Sequence, residues 1–195
     1  MKSIHSLLLA IAFTVAAKAQ PTIAIGDVKL ALVFTSKDSP ESIREYIPKG
    51  ESLDHWSRMA SVRVFPKEKK PLDYLQRVGA RIPRTHPAAR AQLLKHDKTG
   101  DNILDFLMFT ADSSTAEWNL MRARYEKGKG LIVYQYAARF YTVDKSLGPA
   151  IVAERLKMID PFETASFEEI KEANQSLEPT PTSVTPPAAQ ESRRP

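Results

Sequence analysis

The stretch Leu131–Tyr141 reads LIVYQYAARFY. Its even positions Ile132, Tyr134, Tyr136, Ala138 and Phe140 form one apolar face, while Gln135 and Arg139 fall on the other, which is the period-two spacing of a β-strand. Three strand-like runs precede it, Arg90–His96, Ile103–Thr110 and Ala116–Tyr125. They are separated by Asp97–Gly100, the polar corner Ala111–Ser114 and Glu126–Gly130. Connectors this short cannot carry a parallel crossover, so the four strands pair antiparallel. Asp27–Thr35 and Glu41–Ile47, joined by the turn residues Ser36–Pro40, predict a hairpin, and Met59–Phe65 alternates as a further strand ended by Pro66.

Two helices interrupt this pattern. Pro71 suits a first helical turn, where its missing N–H does no harm, and Leu72, Leu75, Val78 and Ile82 recur on one face before Pro83 ends the run. Gly148-Pro149 opens a second helix carrying Ile151, Val152, Leu156 and Ile159, with Pro161 stopping or kinking it. Ser166 with Glu169 forms a capping-box pattern for a last short helix, Phe167 to Ser176. The expected fold is α+β: a two-layer sandwich whose mainly antiparallel sheet of six or seven strands is covered on one face by two main helices. One such domain fills residues 22–176, a length that buries about 68–70% of its unfolded surface.

This element order, together with Tyr46–Phe65 (YIPKGESLDHWSRMASVRVF), resembles the PsbP-like fold of photosystem-associated lumenal proteins and small exported bacterial proteins. The resemblance covers roughly residues 25–165 in element order and carries no catalytic motif. It implies a binding or assembly module, by analogy of fold.

Residues 1–19 read as a signal peptide: Lys2 supplies the positive n-region, Leu7–Ala17 the apolar core, and Ala17-Lys18-Ala19 the small-x-small site, with cleavage between Ala19 and Gln20. The apolar run is short of the ~20 residues of a membrane-spanning helix. Losing Lys2 and Lys18 takes the formal charge from +5 to +3, which does not argue for nucleic acid. The chain has no Cys, which excludes disulfides, thiolate metal sites and a lipidated N-terminal Cys, and fits a periplasmic or secreted bacterial protein with no membrane span after cleavage. At the other end, residues 177–195 form a Pro-rich tail with no aromatic residue to bury, expected to be disordered. Asn174-Gln175-Ser176 matches a glycosylation sequon, relevant only in a eukaryotic secretory route.

The densest polar cluster is Glu51, Asp54, His55 and Arg58. On a helical turn capped by Ser52, the first three share a side and Asp54 pairs with Arg58 at i+4. Arg122, Arg124, Gln135 and Arg139 make a second set. With the hairpin turn centred on Gly128, Ala123 lies opposite Val133, which puts Gln135 and Arg139 on the face of Asn119 and Met121, and Arg122 and Arg124 on the face of Tyr134. A one-residue bulge would reverse that and unite a basic face suited to an anionic ligand. His55, His86 and His96 lack metal-ligand spacing, Asp97–Asp101 carries a Lys where a calcium loop needs oxygen ligands, and the serine-nucleophile and phosphate-loop motifs are missing. No metal or cofactor is expected. The leading expectation is an exported non-enzymatic binding or assembly module, its partner a protein or small molecule of unknown identity bound on the sheet face that the helices leave open. The alternative is a hydrolase using His55 with Asp54 or Glu51, which requires those groups to share a cleft. A carrier for an apolar small molecule is a third, requiring an aromatic-lined cavity of about 300 Å3.

Overall fold

The computed structural model describes residues 20–37, 40–95 and 101–165. The expected leader, His96 and the hairpin loop 97–100, the helix expected over 167–176, the sequon and the tail lie outside the described residues. Among the described residues, eight strands and two helices follow one another as β1 (Thr22–Ile25), β2 (Val28–Ser36), β3 (Ser42–Ile47), β4 (Arg58–Phe65), α1 (Pro71–Thr85), β5 (Arg90–Lys95), β6 (Asn102–Phe109), β7 (Ala116–Glu126), β8 (Gly130–Phe140) and α2 (Leu147–Thr164). The strands form a single antiparallel sheet in the order β1-β2-β3-β4-β8-β7-β6-β5. It consists of two four-stranded meanders joined where β4 pairs with β8, Val62 opposite Tyr134.

The sheet has eight strands where the sequence predicts six or seven. The additional strand, β1, is four residues long and folds onto β2 through Gly26-Asp27, with Gly26 at φ +58. A two-residue Gly-Asp turn between apolar alternations is a hairpin signal, but four residues sit at the lower limit of length at which alternation stands out.

The helices do not share a face. Leu75 and Ile82 of α1 pack with Leu104, Phe106, Met121, Leu131 and Val133. Met158 and Phe162 of α2 pack with Ile103, Trp118, Leu120, Ile132, Tyr134 and Tyr136. Successive side chains on a strand alternate in direction, so α1 and α2 lie on opposite sides of the sheet. Leu131, Ile132, Val133 and Tyr134 are all buried. A strand covered on both sides reads as a continuous apolar run, the signature of LIVY. On the α1 side the helix comes close enough that a Cβ on Gly79 would stand 3.0 Å from Leu104.

The helices also depart from expectation in detail. Pro83 lies inside the last turn of α1, which runs on to Thr85, and α2 continues through Pro161 to Thr164. Val152 and Leu156 of α2 are 56% and 72% exposed, whereas Leu147, Glu154, Met158 and Phe162 are buried. Polar groups set this rotation. Arg58 donates from Nε and Nη2 to the two carboxylate oxygens of Glu154, each at 2.8 Å, and Tyr136 donates its hydroxyl to the same carboxylate at 2.5 Å. Arg155 donates from Nε to Asp105 at 2.8 Å. At the far end, buried Arg122 donates to the carbonyls of Phe162 (2.5 Å) and Glu163 (2.6 Å), closing the helix C-terminus with a cation.

Burial is the largest influence on the Glu154 carboxyl and pushes it up, but the hydrogen bonds from Arg58 and Tyr136 and the Arg58 charge together hold it below 4.5. A carboxyl lowered by folding stabilises above its unfolded value, and that contribution is lost as pH falls through the lowered value. Glu154→Gln is therefore expected to cost about 2 kcal/mol at pH 7. The difference from the parent chain should shrink below about pH 4.5. Urea unfolding of both proteins at neutral and acid pH reads this, and equal stability at neutral pH would refute the anchor.

Candidate functional site

On the α1 side of the sheet, the loop 48–57 folds over the end of β4 and β8. Residues 52–55 do not form the expected helical turn: Ser52 and His55 exchange backbone hydrogen bonds (3.2 and 3.1 Å) as an isolated β-bridge. Gly50, just ahead of the bridge, takes φ +94. Glu51 instead closes the loop, accepting from the Ser57 backbone N–H (2.6 Å) and hydroxyl (2.7 Å). Arg58 turns away to the α2 side and pairs with Glu154 rather than Asp54.

Trp56 is buried against Ile47, Ala137 and Met59. Its backbone N–H donates to the Tyr141 hydroxyl (2.9 Å), which donates back to the Trp56 carbonyl (3.0 Å). His55, exposed, stacks on the Tyr141 ring with centroids 4.2 Å apart. The Arg139 guanidinium lies 3.9 Å over the Trp56 ring and donates from Nη2 to Glu117 at 3.0 Å. Stacking and pairing together fix its plane.

Beside this group opens a cleft of about 340 Å3 lined by Asp54, His86, Met108, Phe109, Thr110, Thr115, Glu117, Arg139 and Tyr141. Its rim at Thr110–Thr115 is held by Asp112, which accepts from the Thr110 hydroxyl and from the Ser114 N–H and hydroxyl; these bonds, the Thr110 one largest, bring its carboxyl down to about 2. Ser113 in this corner takes φ +56.

Of the residues singled out from sequence, Asp54 and Arg139 line the cleft, His55 stacks on its Tyr141 wall and Glu51 fixes its loop. The other four, Arg58, Arg122, Arg124 and Gln135, lie elsewhere. β7 and β8 pair in unbroken register with Ala123 opposite Val133, as expected, so Arg122 and Arg124 lie on the α2 side, opposite Gln135 and Arg139. No basic face unites the four. Arg122 caps α2, and Gln135 donates to Asn119 Oδ1 at 2.7 Å. Glu117, Tyr141, His86, Met108 and Phe109 were not singled out for the site. Glu117 was within reach: the register that opposes Ala123 and Val133 also opposes Glu117 and Arg139. The approach of Trp56 to Arg139 joins two distant segments and has no sequence signal.

The cleft is suited to binding. It offers a fixed cation, two carboxylates and an apolar wall. It does not bring together the groups of the hydrolase alternative, since His55 is turned onto Tyr141 and both Glu51 oxygens are engaged by Ser57. Among the described residues, no three His, Asp or Glu side chains converge as metal ligands. The space beside Tyr134 and Phe162 in the core is about 10 Å3, far below what an apolar cargo needs.

A protein-family model, described without an activity, matches residues 17–167. The chain belongs to that family. No curated protein matches it. The match spans the whole sheet, both helices and every residue of the cleft.

Tyr141→Phe removes the hydroxyl that exchanges hydrogen bonds with the Trp56 backbone and is expected to cost about 1–2 kcal/mol. Loosening of loop 48–57 should shift Trp56 emission to the red while buried Trp118 stays unchanged. Denaturant unfolding followed by fluorescence checks both, and an unchanged midpoint and spectrum would contradict the role given to Tyr141.

Proposed function

We propose that this chain is an exported, non-enzymatic binding module of the bacterial periplasm or exterior, and that its cleft takes a small zwitterionic ligand or a peptide end. One observation carries the reading: Arg139 is held rigid between Trp56 and Glu117 beside a recess that also presents Asp54 and the apolar Met108 and Phe109. A fixed guanidinium favours a carboxylate in fork geometry. Asp54 and Glu117 offer a place for an ammonium, and the apolar wall offers one for a side chain. The resemblance of the element order to the PsbP-like fold supports a binding role by analogy. Among the described residues no helix is long and apolar enough to cross a membrane, which is compatible with a released protein.

Dipeptides with one apolar side chain, titrated into the 15N-labelled protein, should shift resonances of the cleft residues with Kd in the range of about 10 μM to 1 mM. Blocking the ammonium or the carboxylate should weaken binding about threefold or more, and Arg139→Met should abolish it. Absence of shifts at about 1 mM ligand, or indifference to Arg139→Met, sinks the cleft as the binding site.

Export has its own readout. In a Gram-negative host the full chain should be recovered from the periplasm or medium with Gln20 as its N-terminus by intact-mass analysis. Recovery from the cytoplasm with residues 1–19 attached would overturn that half of the reading.

A further inference from the structure

Strand β5 ends the sheet, and among the described residues no strand hydrogen-bonds its outer side. Alternate residues of an edge strand direct N–H and C=O groups outward as a template for another strand. The opposite edge is interrupted. β1 covers only the start of β2, and the β2–β3 register shifts between Leu32 and Phe34, a bulge that bends the strand. β5 has neither device: its six residues pair with β6 in continuous register, it contains no Pro, and Arg90, Ala91, Gln92, Leu93 and Lys95 are exposed.

Alongside this edge, on the α2 side, lies an open groove of about 510 Å3 lined by Arg90, Gln92, Leu107, Trp118, Ile151 and Arg155 around Asp105. The Asp105 carboxylate is buried and already accepts from Trp118 Nε1 (2.8 Å), Gln92 Nε2 (3.0 Å) and Arg155 Nε (2.8 Å). The side chains flanking the edge are cationic on both faces of the sheet: Arg90 borders the groove, while Lys95, opposite Asn102, and Arg84 in the last turn of α1 lie on the α1 side.

We propose that the β5 edge docks an acidic, extended segment of a partner protein by strand addition. The main chain of that segment completes the ladder, the side chains on one of its faces meet the groove and Arg90, and a carboxylate on its other face meets Lys95. This surface shares no lining residue with the cleft, so the two proposals fail independently.

The probe is a fluorescein-labelled peptide of about eight residues, a typical strand length, with Glu on both of its faces among Val and Thr. It is titrated into the protein and compared with its Lys-for-Glu counterpart. The acidic peptide should bind and the lysine peptide should not. Arg90→Gln and Lys95→Gln should each weaken binding about threefold. Salt at about 0.5 M should weaken it further, as screening requires, and Arg139→Met should leave it unchanged. Because the chain has no native Cys, a single Ala91→Cys should form a disulfide with a Cys-bearing form of the peptide, while Lys29→Cys on β2 should not. Equal binding of both peptides, no binding at about 1 mM, cross-linking at both positions, or a concentration-dependent dimer with β5 amides protected from exchange would each overturn the proposal. The last result would give the edge to a second copy.

Discussion

Strand β8 has water on neither side over Leu131–Tyr134, and this fixes the architecture. Four successive apolar residues on an extended chain send two side chains each way, so each face of the sheet needs its own cover. α1 supplies it on one side, over β5, β6 and β7, while α2 supplies it on the other. Placing both helices on one face would have left Leu131 and Val133, or Ile132 and Tyr134, in water.

The two covers are held by different physics. Beneath α1 the contacts are apolar, and Gly79 lets the helix settle onto Leu104. α2 carries Val152 and Leu156 outward and turns Glu154 inward, so apolar burial alone does not set its rotation. Three polar fixings do: Glu154 to Arg58 and Tyr136, Arg155 to Asp105, and Arg122 to the final carbonyls. Each buried group has its counterpart, without which burial would oppose folding. The arrangement leaves Arg139 and Glu117 free of helix packing on the α1 side, where loop 48–57 and the Thr110–Thr115 corner frame them instead.

Strand identity and pairing were legible in the sequence because period-two patterning is local: seven of the strands and the β7–β8 register followed from it. Helix placement was not, because the LIVY run was read by its even positions alone. The orientation of α2 depends on partners such as Arg58 and Glu154 that no spacing rule connects. The site divides in the same way. Arg139 and its cross-strand neighbour Glu117 follow from register, whereas Trp56 beneath Arg139 depends on the path of a loop whose Glu51–Ser57 closure resembled a helix start in sequence.

The seam between the meanders bears on how the chain reaches this state. Within each meander, neighbouring strands are joined by short connectors and pair through contacts local in sequence. The β4–β8 pairing instead sets Val62 against Tyr134 and closes a loop that contains α1 and three strands. Loop-closure entropy therefore concentrates in that one pairing, and the rate of acquiring the native topology should answer to Ala60, Val62 and Tyr136 more than to any residue of the outer hairpins. A φ-value survey with high values confined to β1–β2 or β5–β6 would contradict this order of events.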